Sequence, residues 1–260
     1  MKCAELIRIL EQLAPESCAC DWDNVGLLVG RREKEIKTVY IALDATDETI
    51  QEAVAAGVDL LLTHHPLIFR GIKRVTTDDF TGRRIIALIQ SDIVCYAMHT
   101  NFDIMCMADL AAEKMGISGA LPLEVTCEAD GTPKGIGAVG NLTEEITLDT
   151  CCEQVKKAFD LEHVMVYGDP GHRIKRVAVC PGAGKSDVEE ALRAGADVYI
   201  TGDTDHHTGI DANARGMAII DAGHYGMEHI FIRYMQQYLK EQAPQIRAVA
   251  QERRNPLRIV

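Results

Sequence analysis

An α/β fold made of two similar halves is what this sequence predicts, and three observations predict it. Apolar runs of strand length alternate with helical patterns, one strand–helix–strand stretch recurs further along, and residues of metal-binding type collect where strands should end. In chain order, residues 38–43 form an apolar strand, 47–56 a helix, 59–63 a second strand, 81–91 a second helix and 93–98 a third strand. Buried strands alternating with crossover helices argue for a largely parallel sheet. A second run of the same kind begins at Arg173. Between the two, residues 131–140 and 169–171 are rich in turn formers, and 138–166 holds two further strands around a helix at 148–159. No flexible linker interrupts the chain.

Internal comparison sharpens this reading. A shift of 138 residues places 36–63 over 174–201 without a gap, with identity at ten of 28 positions. The identities include Ile36/Ile174, Glu52/Glu190, Gly57/Gly195, Asp59/Asp197 and Thr63/Thr201. Gly57 and Gly195 each fall where a helix ends and a left-handed residue is wanted. With the offset changed to 125, residues 93–103 fall over 218–228, which aligns His99 with His224 and Asp103 with Glu228. The first copy is then 13 residues longer, in the loop around 68–80. The expected division is a first α/β domain from 1–128 plus 218–260 and a second from 129–217.

Composition excludes several functions. The 260 residues carry 27 Lys and Arg against 39 Asp and Glu, a formal charge of −12, so a phosphate backbone finds no dense basic face and nucleic acid is not the expected partner. Hydrophobic residues make up 47% of the chain, which supplies a core and excludes disorder. The amino-terminal pattern is charged and amphipathic rather than that of a secretory leader, and no apolar run approaches a membrane span. Nine cysteines without a CxxC pair read as reduced, mostly buried thiols, and the expected location is the cytoplasm.

Ligands of open α/β sheets gather beyond the carboxyl ends of the strands. There this chain places His64-His65-Pro66, His99 and Asp103, Gly202-Asp203, and His224 with Glu228. Pro66 ends the strand, so both histidines can turn to one site. Paired imidazoles suit two neighbouring metals, although such a pair serves equally as a hydrogen-bonded cap. His224 and Glu228 are four residues apart on a helix and share a face, and a carboxylate can offer one oxygen to each of two ions. Either acid alone is also what a helix amino terminus attracts. Asp203, His206 and His207 follow the repeated second strand, where they could move protons, contact substrate, or simply cap a helix. Asp44 sits on the rim. Residues 181–187 end like a phosphate-binding loop, but that pattern requires glycine at position 179, which is Val179.

Together, 22–30 (WDNVGLLVG), 62–66 (LTHHP), 98–103 (MHTNFD), ITGD with His206 and His207, and 223–228 (GHYGME) resemble the Nif-three-like dinuclear metal-binding family, whose members often carry the name GTP cyclohydrolase 1 type 2 homologue. The resemblance spans nearly the whole chain. It implies two pseudo-symmetric α/β domains with a dinuclear metal site between them, and a toroidal homohexamer. It implies His64, His65, Asp103, His224 and Glu228 as metal ligands with Glu228 bridging, and places His99 beside the metals or near substrate. The cofactors it implies are two divalent ions per subunit, zinc, iron or manganese before magnesium. The expected activity is a metal-dependent hydrolase acting on a small molecule such as a nucleotide, with Asp203, His206, His207 and His99 as its catalytic candidates. The other expectation is a metal-binding scaffold or metal-handling protein without catalysis.

Overall fold

Apolar spacing decides where each element lies in the computed structural model, which describes all 260 residues. The chain packs as two units, Met1–Phe102 with Phe231–Arg254, and Asp103–Ile230 with Asn255–Val260. The first unit supplies α1 (Cys3–Leu13), β1 (Gly26–Val29), β2 (Thr38–Ala42), α2 (Asp47–Ala55), β3 (Leu60–Thr63), α3 (Phe80–Gln90), β4 (Val94–Ala97) and the short α4 (Thr100–Phe102). The second supplies a π turn (Asp103–Met107), α5 (Ala108–Lys114), β5 (Ser118–Ala129), β6 (Thr132–Thr147), α6 (Leu148–Phe159), β7 (Met165–Tyr167), β8 (Arg173–Ala183), α7 (Val188–Arg193), β9 (Val198–Gly202), α8 (His206–Ala214), β10 (Ala218–Asp221) and α9 (His224–Glu228). Then α10 (Ile230–Gln242) and β11 (Arg247–Ala250) return to the first.

The first unit is built on a five-stranded sheet ordered β1-β4-β3-β2-β11, parallel except at β1. Residues Leu60–Thr63 and Val94–Ala97 are wholly buried, which is why these strands read as unbroken apolar runs rather than alternating ones. Helices α2 and α3 press Ile50, Ala53, Ile85 and Leu88 onto one face. Helix α1 buries Cys3, Leu6, Ile7 and Leu10, the i, i+3, i+4, i+7 stripe of an amphipathic helix. The second unit is built on a six-stranded sheet ordered β5-β6-β8-β9-β10-β7, with β8, β9 and β10 parallel. One of its cores forms under α5 and α6, around Leu148, Cys151, Val155 and Phe159, and the other under α7 and α8.

The repeat is physical. Val39 pairs with Leu60 in one sheet, and Val177 with Val198 in the other, the same register at the 138-residue offset. The Asp59 carboxylate accepts from the backbone N–H of Lys37 and Thr38 at 2.8 and 2.9 Å, and Asp197 does the same for Lys175 and Arg176 at 2.8 and 2.7 Å. Gly57 and Gly195 are both left-handed, at φ +60° and +70°. The third strand corrects the sequence alignment by one residue. Leu60 pairs with Val94 while Val198 pairs with Ala218, so the offset is 124, and His224 matches Thr100 instead of His99. Side-chain similarity had outvoted sheet register by a single step.

The unit boundaries fall at Phe102/Asp103 and Ile230/Phe231, whereas the expected division placed them at 128/129 and 217/218. Pairing explains the difference. β5 joins β6 through an Asp130-Gly131 turn whose residues have φ +50° and +74°, and β10 joins β9, so both strands belong to the second sheet. No helix is long and apolar enough to cross a membrane.

Candidate metal centre

In the first unit the chain leaves β3 without losing sheet geometry at once. His64 N–H donates to Ala42 O and His65 N–H to Leu43 O, Thr63 Oγ1 donates to His65 O at 2.9 Å, and only then does Pro66 turn the chain away. His64 is buried, and its Nδ1 lies 2.7 Å from Met98 O. His65 Nδ1 lies 2.9 Å from Asp44 Oδ1. His99, just past β4, has its Nδ1 2.9 Å from Asp23 Oδ1, and the other Asp23 oxygen accepts from Thr100 N at 3.0 Å and Thr100 Oγ1 at 2.6 Å. Burial alone would raise the Asp23 carboxyl, but the hydrogen bonds from His99 and Thr100 overcome it and hold the group at about 2. The candidate ligand nitrogens of His64, His65 and His99 lie within 4.8 Å of one another.

The second unit brings together a matching set. His224 opens α9, with Nδ1 2.8 Å from Asp203 Oδ2 and Nε2 3.0 Å from Glu228 Oε2. Glu228 is buried in the same helix. Burial would lower the His224 imidazole, yet the Glu228 and Asp203 carboxylates hold it up at about 9. Gly182, with φ +82°, passes so close that a Cβ there would collide with Glu228 Oε1. Asp103 lies in the π turn, a helical irregularity common at functional sites. The buried Cys180 thiol on β8 is pushed up by burial first and then by the negative charges of Asp187, Asp103 and Glu228.

These contacts fix tautomers. A carbonyl or carboxylate can only accept, so in the neutral imidazole Nδ1 of His64, His65, His99 and His224 carries the hydrogen and Nε2 the lone pair. An imidazole oriented through its N–H by a carboxylate or carbonyl is the usual support for a metal-ligating histidine. His224 goes further, because its Nε2 lone pair faces a carboxylate. Two acceptors at 3.0 Å require a cation between them, a proton or a metal ion. Ligands about 2.0–2.1 Å from a tetrahedral ion lie about 3.3 Å apart, so small adjustments would admit one. The donor set of imidazoles and carboxylates therefore fits a divalent metal.

Among the expected site residues, His64, His65 and His99 gather in the first unit, and Asp203, His224 and Glu228 gather in the second, whose π turn carries Asp103. Asp203 is placed as the carboxylate that orients His224. His206 and His207 stand exposed at the start of α8, with ring centroids 5.4 Å apart and no hydrogen bond or ion pair to His224, Asp203 or Glu228. Sequence reasoning missed Asp23. The signal was there, since Trp22-Asp23 opens a motif already singled out, and Trp22 lies edge-on to His99 and Phe69 at 6.2 and 6.0 Å. Residues 181–187 are no phosphate loop. Tyr199 O–H donates to Gly184 O at 2.8 Å and Gly184 N–H to Thr201 Oγ1 at 3.0 Å, which closes that turn from within.

The model of the family described as Duf34/NIF3 (NGG1p interacting factor 3) matches residues 1–256. A Clostridium perfringens protein named GTP cyclohydrolase 1 type 2 homolog is 38% identical over 246 residues, covering 93% of this chain and 92% of its own. A Streptococcus pneumoniae protein of the same name is 38% identical over 238 residues, covering 89% and 88%. Among solved structures, a Bacillus cereus protein related to NIF3 superposes with TM-score 0.92 at 25% identity, over 100% of this chain and 99% of that one. Reduced HcgD from Methanocaldococcus jannaschii superposes with TM-score 0.82 at 31% identity, over 96% and 97%.

Proposed function

We propose, from the premise that this chain belongs to the Duf34/NIF3 family, that it is a dinuclear divalent-metal-dependent hydrolase of the kind its relatives' name, GTP cyclohydrolase 1 type 2 homolog, suggests. The observation that carries the reading is His224, whose two ring nitrogens both face carboxylates and whose Nε2 therefore calls for a cation. In this reading His64, His65, Asp103, His224 and Glu228 hold two ions, with Glu228 shared. Zinc, iron or manganese suit the donors better than magnesium. Two such ions would supply a water of lowered pKa and a clamp for substrate oxygens.

The chain's own residues do the rest. Asp44 and Asp203 fix the rings of His65 and His224, and Met98 O fixes that of His64. His99, its Nδ1–H held by Asp23, presents an Nε2 lone pair beside the other histidines, where it can take up or return a proton. The substrate is a small molecule, with nucleotides the first class to test. Nine cysteines, most of them buried, suit a reducing compartment such as the cytoplasm, and a homohexamer is the expected assembly.

Elemental analysis of gently purified protein should find about two divalent ions per chain, and turnover of a nucleotide panel followed by mass should depend on them. His65→Ala and Glu228→Ala should abolish both metal content and turnover. Full activity in demetallated protein would overturn the reading.

A further inference from the structure

Next to His65 the first unit forms an open pocket of about 490 Å³ that the metal chemistry does not account for. Its walls are the turn after β2, the loop that follows His65, and the first turns of α3. The volume lies in the range of small-molecule sites, roughly 300–1,000 Å³. Two features of the lining point to one kind of occupant.

The first is aromatic. The chain has only five phenylalanines, and two of them, Phe69 and Phe80, stand at this pocket 45% and 57% exposed. Leaving such rings half in water gives up burial energy that a flat ligand stacking on them would recover. The second is charge. The pocket is lined by Arg70 and Arg84, and the one acid in its lining, Asp44, is already engaged by His65. Arg84 is held in place. Its Nε donates to Asp47 Oδ1 at 2.6 Å, and its guanidinium carbon lies 4.9 Å from the Phe80 ring centroid. The bond to Asp47 uses one of its five N–H donors and leaves four to present to an oxyanion. A local cationic site in a protein of net charge −12 needs such a reason.

We propose that this pocket binds the planar ring and attached oxyanion of an aromatic substrate, the ring against Phe80 and Phe69 and the oxyanion on Arg84, and holds the rest of the molecule toward His65. The assignment of this pocket to catalysis rests on the metal-centre reading; the binding itself does not. Arg84 and Phe80 are thus specificity residues, placed away from the ligand set.

The test is a fluorescence titration of the full chain, stripped of metal by chelation, with 1-naphthyl phosphate as probe, 1-naphthol and methyl phosphate as its two halves, and 1-naphthoate to separate phosphate from carboxylate. The wild-type protein should bind 1-naphthyl phosphate saturably. Arg84→Ala should weaken that binding about tenfold or more, with partial recovery in Arg84→Lys, and should leave 1-naphthol unaffected. Phe80→Ala and Phe80→Leu should weaken 1-naphthyl phosphate and 1-naphthol several-fold and leave methyl phosphate unaffected. Metal content measured on separately loaded protein should be unchanged in all four variants. Absence of saturable binding, or binding that ignores both positions, overturns the pocket assignment while leaving the metal centre standing. Failure of wild-type protein to take up divalent ions on separate loading, with probe binding intact, does the reverse.

Discussion

The block β2–α2–β3–β4 and the block β8–α7–β9–β10 share a frame and differ in everything chemical. Both keep the parallel register, the left-handed glycine after the helix and the aspartate that accepts two backbone N–H groups. At the strand ends the roles are exchanged. Asp44 corresponds to Gly182, and His65 to Asp203, at the 138-residue offset. In the first block the candidate ligand His65 stands on the second strand's end and its orienting carboxylate, Asp44, on the first strand's. In the second block that strand end carries the orienting carboxylate, Asp203, and the ligand His224 follows the third strand. A duplicated scaffold can thus retain the interactions that place the backbone while trading donor for support at the site.

Gly182→Val is the largest way to break this comparison. The change sets a β-branched residue at φ +82°, where an L side chain costs about 1–2 kcal/mol, and drives its Cβ into Glu228 Oε1. Displacing a ligand should cost more than losing its outer support, so metal affinity should fall by more than about 100-fold in a competition titration. The reciprocal change Asp44→Gly removes only a support and should cost about 10–100-fold. Equal losses in the two variants would mean that Gly182 is not kept for the carboxylate it admits.

A finer test compares the two supports directly. Asp44→Asn and Asp203→Asn leave an acceptor for His65 and His224 but remove its charge, and each should weaken metal binding about 10–100-fold without unfolding the protein. Matching effects would establish that the exchanged roles are equivalent. An effect at Asp203 alone would mean that His65 needs no carboxylate to stay in place.

Much of this was legible in the sequence because buried parallel strands leave continuous apolar runs. The stretches 38–43, 59–63 and 93–98 differ from β2, β3 and β4 by a residue or so at their ends, and the helix expected at 148–159 is α6 itself. The strand expected ahead of the 148–159 helix is the second half of β6, but β5 and the start of β6 were not legible as strands. β5 is largely exposed, so no alternation marks it, and Pro122, Pro133 and Gly135 read as breakers. Gly135 is there because a Cβ would strike the backbone of Glu124 across the pair. The candidate ligands could be found from residue type and strand ends, but their supports could not, since the pairing of Asp23 with His99 spans 76 residues and leaves no local pattern.

Asp23 has no counterpart in the second block, because the sheet register places Gly223 where the first block has His99. It therefore offers the smallest and most selective test of the comparison. Its carboxyl is held at about 2, below the ordinary 3.8, against burial and by the hydrogen bonds from His99 and Thr100. A group depressed by folding stabilises the protein above its unfolded value and loses that contribution as the pH falls through the folded one. Asp23→Asn should then cost about 1–2 kcal/mol near neutral pH, and the gap from wild type should close between about pH 4 and pH 2 in urea unfolding. A gap that persists unchanged to pH 2 would assign the effect to packing rather than charge. Metal affinity should fall less than in Asp44→Asn, because His99 stands beside the ligand set and is not counted among its five members.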